Sequence, residues 1–234
     1  MKNLISTLAL PVLLTAGLSG CAGGSGDNSP AGVVPSTLQF PLQSAFKSLV
    51  ANGYSKSFSV TGTCIGTGNK TAAATTTATF ESVPVFSAVE TMTATLDKCT
   101  PSSIAQTFTS YYDSNYFPLG FNSVGVNYGV YLTAPIIPLS VTVGGTAIVG
   151  TVSLYTDSTK GTSNGKEDLS YVVEAETANT AIVNLISKIY NSSNQLTSTE
   201  QDRFRIATTG PLVPISADIQ YSNGSSTHLV ITYN

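Results

Sequence analysis

Asp168-Leu169-Ser170-Tyr171-Val172-Val173-Glu174-Ala175-Glu176-Thr177 reads with a period of two. Leu169, Tyr171, Val173 and Ala175 share one parity, while Ser170, Glu174 and Glu176 mark the other. Successive strand side chains point to opposite faces, so this pattern predicts a strand with one buried and one wet face. Thr146 to Asp157 supplies its expected partner. Ala181 to Tyr190 and Leu196 to Ala207 flank Asn191-Ser192-Ser193-Asn194 as a second hairpin.

The same period runs outward in both directions. Val213, Ile215, Ala217, Ile219 and Tyr221 lie on one parity, as do Leu229, Ile231 and Tyr233. A three-residue loop of Ser222, Asn223 and Gly224 brings both apolar rows to one face, with Ile219 opposite Thr227 and Asp218 opposite His228. Towards the amino terminus, Ser57–Thr63, Ala73–Phe80, Val85–Leu96, Tyr128–Thr133 and Leu139–Val143 read as strands. Gly66-Thr67-Gly68-Asn69-Lys70-Thr71 reads as a turn, because its Gly-Lys-Thr is not contiguous as a phosphate loop requires. Thr100 to Tyr131 is open between helix and strand. Leu42, Ala45, Phe46, Leu49 and Val50 recur at helical spacing between Pro41 and Asn52-Gly53, predicting one short helix over 41–51. The expected fold is therefore all-β: an antiparallel meander forming a sandwich or an open barrel, with one short N-terminal helix.

Before this domain comes a different kind of sequence. Met1-Lys2-Asn3 is a short positive segment, Leu4 to Ala16 an apolar run of 13 residues, and Leu18-Ser19-Gly20-Cys21 follows. The apolar run is too short to span a bilayer and fits an export signal. The four residues ending at Cys21 resemble the lipobox of bacterial lipoprotein precursors. That resemblance implies cleavage before Cys21, a diacylglyceryl group on its thiol, and a membrane partner reached through the lipid. Ala22, rather than Asp, after the cysteine implies sorting to the outer membrane, facing the periplasm or the cell exterior.

The expected organisation is thus a signal peptide over 1–20, a lipidated Gly/Ser-rich tether over 21–36, and a β-rich domain over 37–234. Position 135 is a candidate division into two subdomains. As a coil, a tether of fifteen residues spans about 20 Å. With Cys21 assigned to lipid, Cys64 and Cys99 are left as an even pair in an oxidising compartment and are expected to form one disulfide.

Removing residues 1–20 takes away Lys2 and leaves 9 basic against 13 acidic residues. Such a chain has no basic stripe for a phosphate backbone, and nucleic acid is not an expected partner. No cofactor motif occurs. Gly161-Thr162-Ser163-Asn164-Gly165 matches G-x-S-x-G, with His228, the only histidine, and Asp168, Asp202 and Asp218 downstream, but a polar loop between two strands is not a nucleophile elbow. No residue is assigned as catalytic. Asp113-Ser114-Asn115 opens like a calcium loop but lacks its glycine and distal glutamate, so no metal site is assigned.

The best binding candidate is Tyr111, Tyr112, Asp113, Asn115 and Tyr116, because tyrosine rings beside Asp and Asn can stack on sugar faces and bond their hydroxyls. A glycan or another envelope protein is the matching partner. The first functional expectation is a membrane-anchored, non-enzymatic structural or ligand-binding module. The alternative is a tethered polysaccharide or cell-wall hydrolase using Glu174 or Glu176.

Overall fold

The computed structural model describes residues 35–222 and 227–234. The lipobox at Leu18–Cys21 and nearly all of the tether lie outside the described residues. Among those described, one helix, α1 (Leu42–Asn52), precedes thirteen strands. These are β1 (Tyr54–Gly62), β2 (Ile65–Ala72), β3 (Thr76–Phe80), β4 (Val83–Asp97), β5 (Ser103–Tyr112), β6 (Pro118–Ser123), β7 (Asn127–Tyr131), β8 (Thr146–Tyr155), β9 (Ser163–Ala175), β10 (Thr180–Tyr190), β11 (Leu196–Ala207), β12 (Val213–Tyr221) and β13 (His228–Tyr233).

From β3 to β13 each strand pairs antiparallel with its successor. Two non-sequential pairings then close the sheet. β1 pairs with β13, setting Phe58 opposite Tyr233, and β2 pairs with the second half of β4, from Ile65 opposite Asp97 to Ala72 opposite Glu90. The result is a closed barrel of twelve strands, with β3 attached to the first half of β4. Closure leaves no open edge to the main sheet, which a sandwich would have kept. Strands on both sides of position 135 belong to this one wall, with Tyr128 of β7 opposite Tyr155 of β8.

Parity decides which way each side chain points. Phe58 and Val60 of β1, Met92, Ala94 and Leu96 of β4, Leu169, Tyr171 and Val173 of β9, and Ala181, Val183 and Leu185 of β10 are buried. The outward row of β1 is Ser55, Ser57, Ser59 and Thr61, and that of β4 includes Thr91, Thr93 and Thr95. Apolar-in and polar-out is the reverse of a membrane-spanning barrel. Gly68 illustrates the fit of the interior: a Cβ there would lie 2.4 Å from the ring of Phe58.

The helix forms where its spacing predicts. Leu42 and Ala45 are buried in the main core, and Leu212 N–H bonds Ala45 O at 3.2 Å. Gly53 ends α1 with φ 67°, and its N–H closes on Leu49 O at 2.9 Å. This seats α1 at the barrel end that also carries the β11–β12 connection.

Three local readings are corrected and one open stretch is resolved. Gly66–Thr71 is not a turn but most of β2, since its alternating small residues pack against Phe58 and Leu96 while it hydrogen-bonds both β1 and β4. Leu139–Val143 forms no strand; only Val141 bridges to Phe40. Thr100–Tyr131, open from sequence, forms β5, β6 and β7 with the turns between them. In the last hairpin Ile219 faces Leu229 and Gln220 faces His228, two residues away from the expected register. A shift of two preserves parity, so both apolar rows stay inside, and it matches Ile219 with Leu229 instead of with the hydroxyl of Thr227. The expected loop at Asn223 and Gly224 lies outside the described residues.

The disulfide forms as expected, Cys64 to Cys99, with Cα atoms 5.6 Å apart. Cys64 sits between β1 and β2, and Cys99 just after β4, so the bond ties together one end of the β2–β4 closure.

Candidate functional site

Inside the barrel, beneath α1, lies a cavity of about 130 Å³. Phe46, Leu49 and Val50 of α1 form its roof. Phe108, Tyr112, Phe121, Tyr131 and Phe204, on inward positions of four strands, give it aromatic walls. A second void of about 30 Å³, bounded by Phe46, Tyr131 and Leu212, is almost wholly apolar.

One side of the main cavity is ionic. Lys70 Nζ lies 3.2 Å from Glu90 Oε2, and both side chains are largely buried. The pair spans the β2–β4 closure at the opposite end from the disulfide. Asp202 and Glu167 also line the cavity, and Glu200 is the next inward residue of β11 before Asp202. Glu167 and Glu200 are each 1% exposed, and neither carboxyl oxygen of Glu200 has a hydrogen-bond partner. The buried hydroxyl of Ser187, directly opposite Glu200 on β10, is likewise unpartnered.

Burial without adequate donors disfavours carboxylates. It pushes Asp202 up to about 6 even though Lys70 pulls the other way, and it raises Glu200 and Glu167 well above the usual range, with Asp202 and Asp168 respectively adding repulsion. Burial also lifts the Tyr54 phenol to about 12, against the opposing pull of Lys70. Burial works against the Lys70 cation too, but Tyr54, Glu90 and Asp202 outweigh it and hold its pKa above the ordinary value.

These shifts set a sign for stability. The folded state holds protons on Asp202, Glu200 and Glu167 where the unfolded chain has released them, so stability rises as pH falls from neutral towards 5. For Asp202 the window runs from its ordinary 3.8 to about 6. Glu81 and Glu176 act oppositely: hydrogen bonds from Lys160 and Arg205 lower them, and that stabilisation disappears only below the ordinary carboxylate range. Calorimetry is expected to give a higher melting temperature at pH 5 than at pH 7.5, and Glu200→Gln is expected to flatten that slope by stabilising the protein at pH 7.5. A melting temperature that climbs from pH 5 to 7.5, or a slope untouched by Glu200→Gln, contradicts the assignment.

The aromatic stretch singled out in the sequence does not form one surface. Tyr112 points inward, buried against Val50 and Ala88. Tyr111, its neighbour, points outward and stacks on Phe80 with centroids 4.4 Å apart. Tyr116 stacks on Phe86 at 5.0 Å with Lys47 over its ring. Asp113 Oδ1 accepts the N–H groups of Asn115 and Phe117, each at 2.8 Å, so this carboxylate shapes the turn. Of the five, only Tyr112 reaches the cavity.

Glu174 and Glu176 lie on the outer wall. Glu174 Oε2 accepts from Arg203 Nε at 3.3 Å, and Arg205 grips Glu176 through both Nε and Nη2. Ser163 opens β9, while His228 Nε2 meets Asp218 Oδ1 at 2.9 Å and Asp168 accepts from Thr151 and Lys166, so no Ser-His-Asp relay is assembled. Among the described residues no group of three or more His, Cys, Asp or Glu side chains is placed to hold a metal ion.

The interior cluster had a legible signal. Glu200 and Asp202 share the parity of Phe204 and Ile206, and Glu167 that of Leu169 and Tyr171. An acid on the apolar parity of a strand points into the core.

No protein-family model matches the chain, and no curated protein matches it. Among solved structures it is similar to a LolA superfamily protein from Nitrosomonas europaea, with 8% sequence identity, 83% of this chain and 91% of that chain covered, and a TM-score of 0.28.

Proposed function

We propose that the chain is a lipoprotein anchored through Cys21 in the outer membrane, and that its barrel is a non-enzymatic module binding a compact ligand in its interior. The cavity beneath α1 carries this reading. At about 130 Å³ it is close in size to an engineered void of roughly 150 Å³ that takes up benzene. Aromatic walls suit a small apolar body, and Glu90, Asp202 and Lys70 at one side suit a single polar head. The lipobox sequence supports the anchor.

The hydrolase alternative has less behind it. Glu174 and Glu176 are held by arginines on a convex outer face. Those carboxylates that do converge, Glu90, Glu167 and Asp202, face a space far smaller than a sugar chain.

Native mass spectrometry of the protein purified from its own envelope tests the binding. The expected spectrum shows a small-molecule mass in addition to the acylated chain, and Ala88→Phe, which fills the cavity, abolishes it. Because Ala88→Phe can perturb packing, Ser110→Leu, directly opposite Ala88 on the neighbouring strand β5, serves as the second variant. A wild-type protein carrying no small molecule, or one retained by both filled variants, rejects an interior site.

A further inference from the structure

Leu132, Ile136, Leu139 and Ile148 are each 65–75% exposed, an unusual concentration of large apolar side chains in one stretch. They lie in and beside the connection from β7 to β8, which runs along β8: Leu132 N–H bonds Thr151 O at 3.0 Å and Ile136 N–H bonds Val149 O at 2.8 Å. Pro135 and Pro138 stiffen this segment, and no Asp, Glu, Lys or Arg occurs from 132 to 156. Other exposed large apolar side chains, Ile65, Val83, Val89 and Val124, are spread over β2, β4 and the β6–β7 turn rather than gathered in one connection.

Its position relative to the amino terminus is fixed by hydrogen bonds. Phe40 and Val141 bond each other through both N–H groups, at 2.8 and 2.9 Å, so the incoming chain is paired two residues from Leu139. Ser36 Oγ donates to Ala178 O at 2.8 Å at the same end of the barrel. Between Cys21 and Pro35 lie thirteen residues, a reach of at most about 50 Å.

From this juxtaposition we infer that the Leu132–Ile148 face seats in the interfacial layer of the bilayer that carries the lipid anchor. The inference rests on the reading of Cys21 as that anchor. Short apolar surfaces of this kind enter about 5–10 Å, to the boundary of headgroups and acyl chains. The absence of charge means that seating does not depend on anionic lipid. It also orients the barrel, with α1 and the cavity roof towards the membrane and the β6–β7 turn at Val124 away from it.

The chain has no tryptophan, so a single introduced one reports one position. Leu139→Trp and Val124→Trp, both at exposed sites, are made in the full chain, and the mature proteins are reconstituted in phosphatidylcholine vesicles with or without brominated acyl chains. Brominated lipid is expected to quench Leu139→Trp about twofold, to leave Val124→Trp unchanged, and to act equally at low and high salt. Equal quenching of the two variants overturns the inference. So does a blue-shifted Leu139→Trp emission that brominated lipid leaves untouched, which means that protein rather than lipid covers the face. The intact mass of the same samples reads the anchor separately: an acylated chain with unquenched Leu139→Trp rejects the seating alone, whereas a chain without acyl mass rejects both.

Discussion

Replacing Lys70 with methionine is expected to lower stability at pH 7.5 by about 3–5 kcal/mol, as for other buried ion pairs that lose one partner. Methionine keeps the length and the apolar stem, so the change isolates the charge. Lys70 Nζ is 3.2 Å from Glu90 and is the cation that offsets Asp202. Without it two buried carboxylates face each other and the aromatic wall. Asp202 can escape by taking up a proton, so the cost shrinks on acidification, and denaturant titrations at pH 7.5 and pH 5 should give clearly different losses. Equal losses at the two pH values, or a loss below about 1 kcal/mol at pH 7.5, would show that Lys70 is not the counterion of a buried cluster.

Replacing both Cys64 and Cys99 with alanine is expected to cost about 3–4 kcal/mol by the loop-entropy estimate for a 35-residue separation. The bond joins the β1–β2 turn to the start of the β4–β5 turn, beside the first pair of the β2–β4 closure, Ile65 with Asp97. Beyond that unfolded-state cost the native barrel loses a local tie, so part of the loss should be uneven. Amides of β2 and the second half of β4 should gain exchange before those of β10 and β11, and oxidised wild-type protein treated with reductant should reproduce the pattern. A uniform loss across all strands would mean that the bond acts on the unfolded chain alone.

Much of the wall was legible because burial on one face writes a period of two into the chain. β8 to β13 follow from that pattern, and the even cysteine pair names the disulfide. Closure was not legible: β1 meeting β13 and β2 skipping over β3 to reach β4 depend on partners far apart in sequence. Gly66 to Thr71 looked like a turn because the residues that let β2 pack against Phe58 and Leu96 are glycines. The tyrosine stretch misled for the opposite reason. Adjacent aromatic residues on a strand must point apart, so Tyr111 and Tyr112 could never share a site. Charge was read as surface throughout, and this hid Lys70, Glu167, Glu200 and Asp202, whose parity with buried neighbours places them inside.

Both the cavity and the ionic cluster require a barrel that is shut at its two non-sequential joins. Native-state hydrogen exchange at those joins is the most direct measurement. The account predicts that amides across the β1–β13 pairing, from Phe58 to Thr61, and across the β2–β4 pairing, from Thr67 to Lys70, exchange within about tenfold of those in the middle of β10 and β11. Exchange at either join at the rate of a free strand edge would contradict a closed barrel and remove the interior site with it.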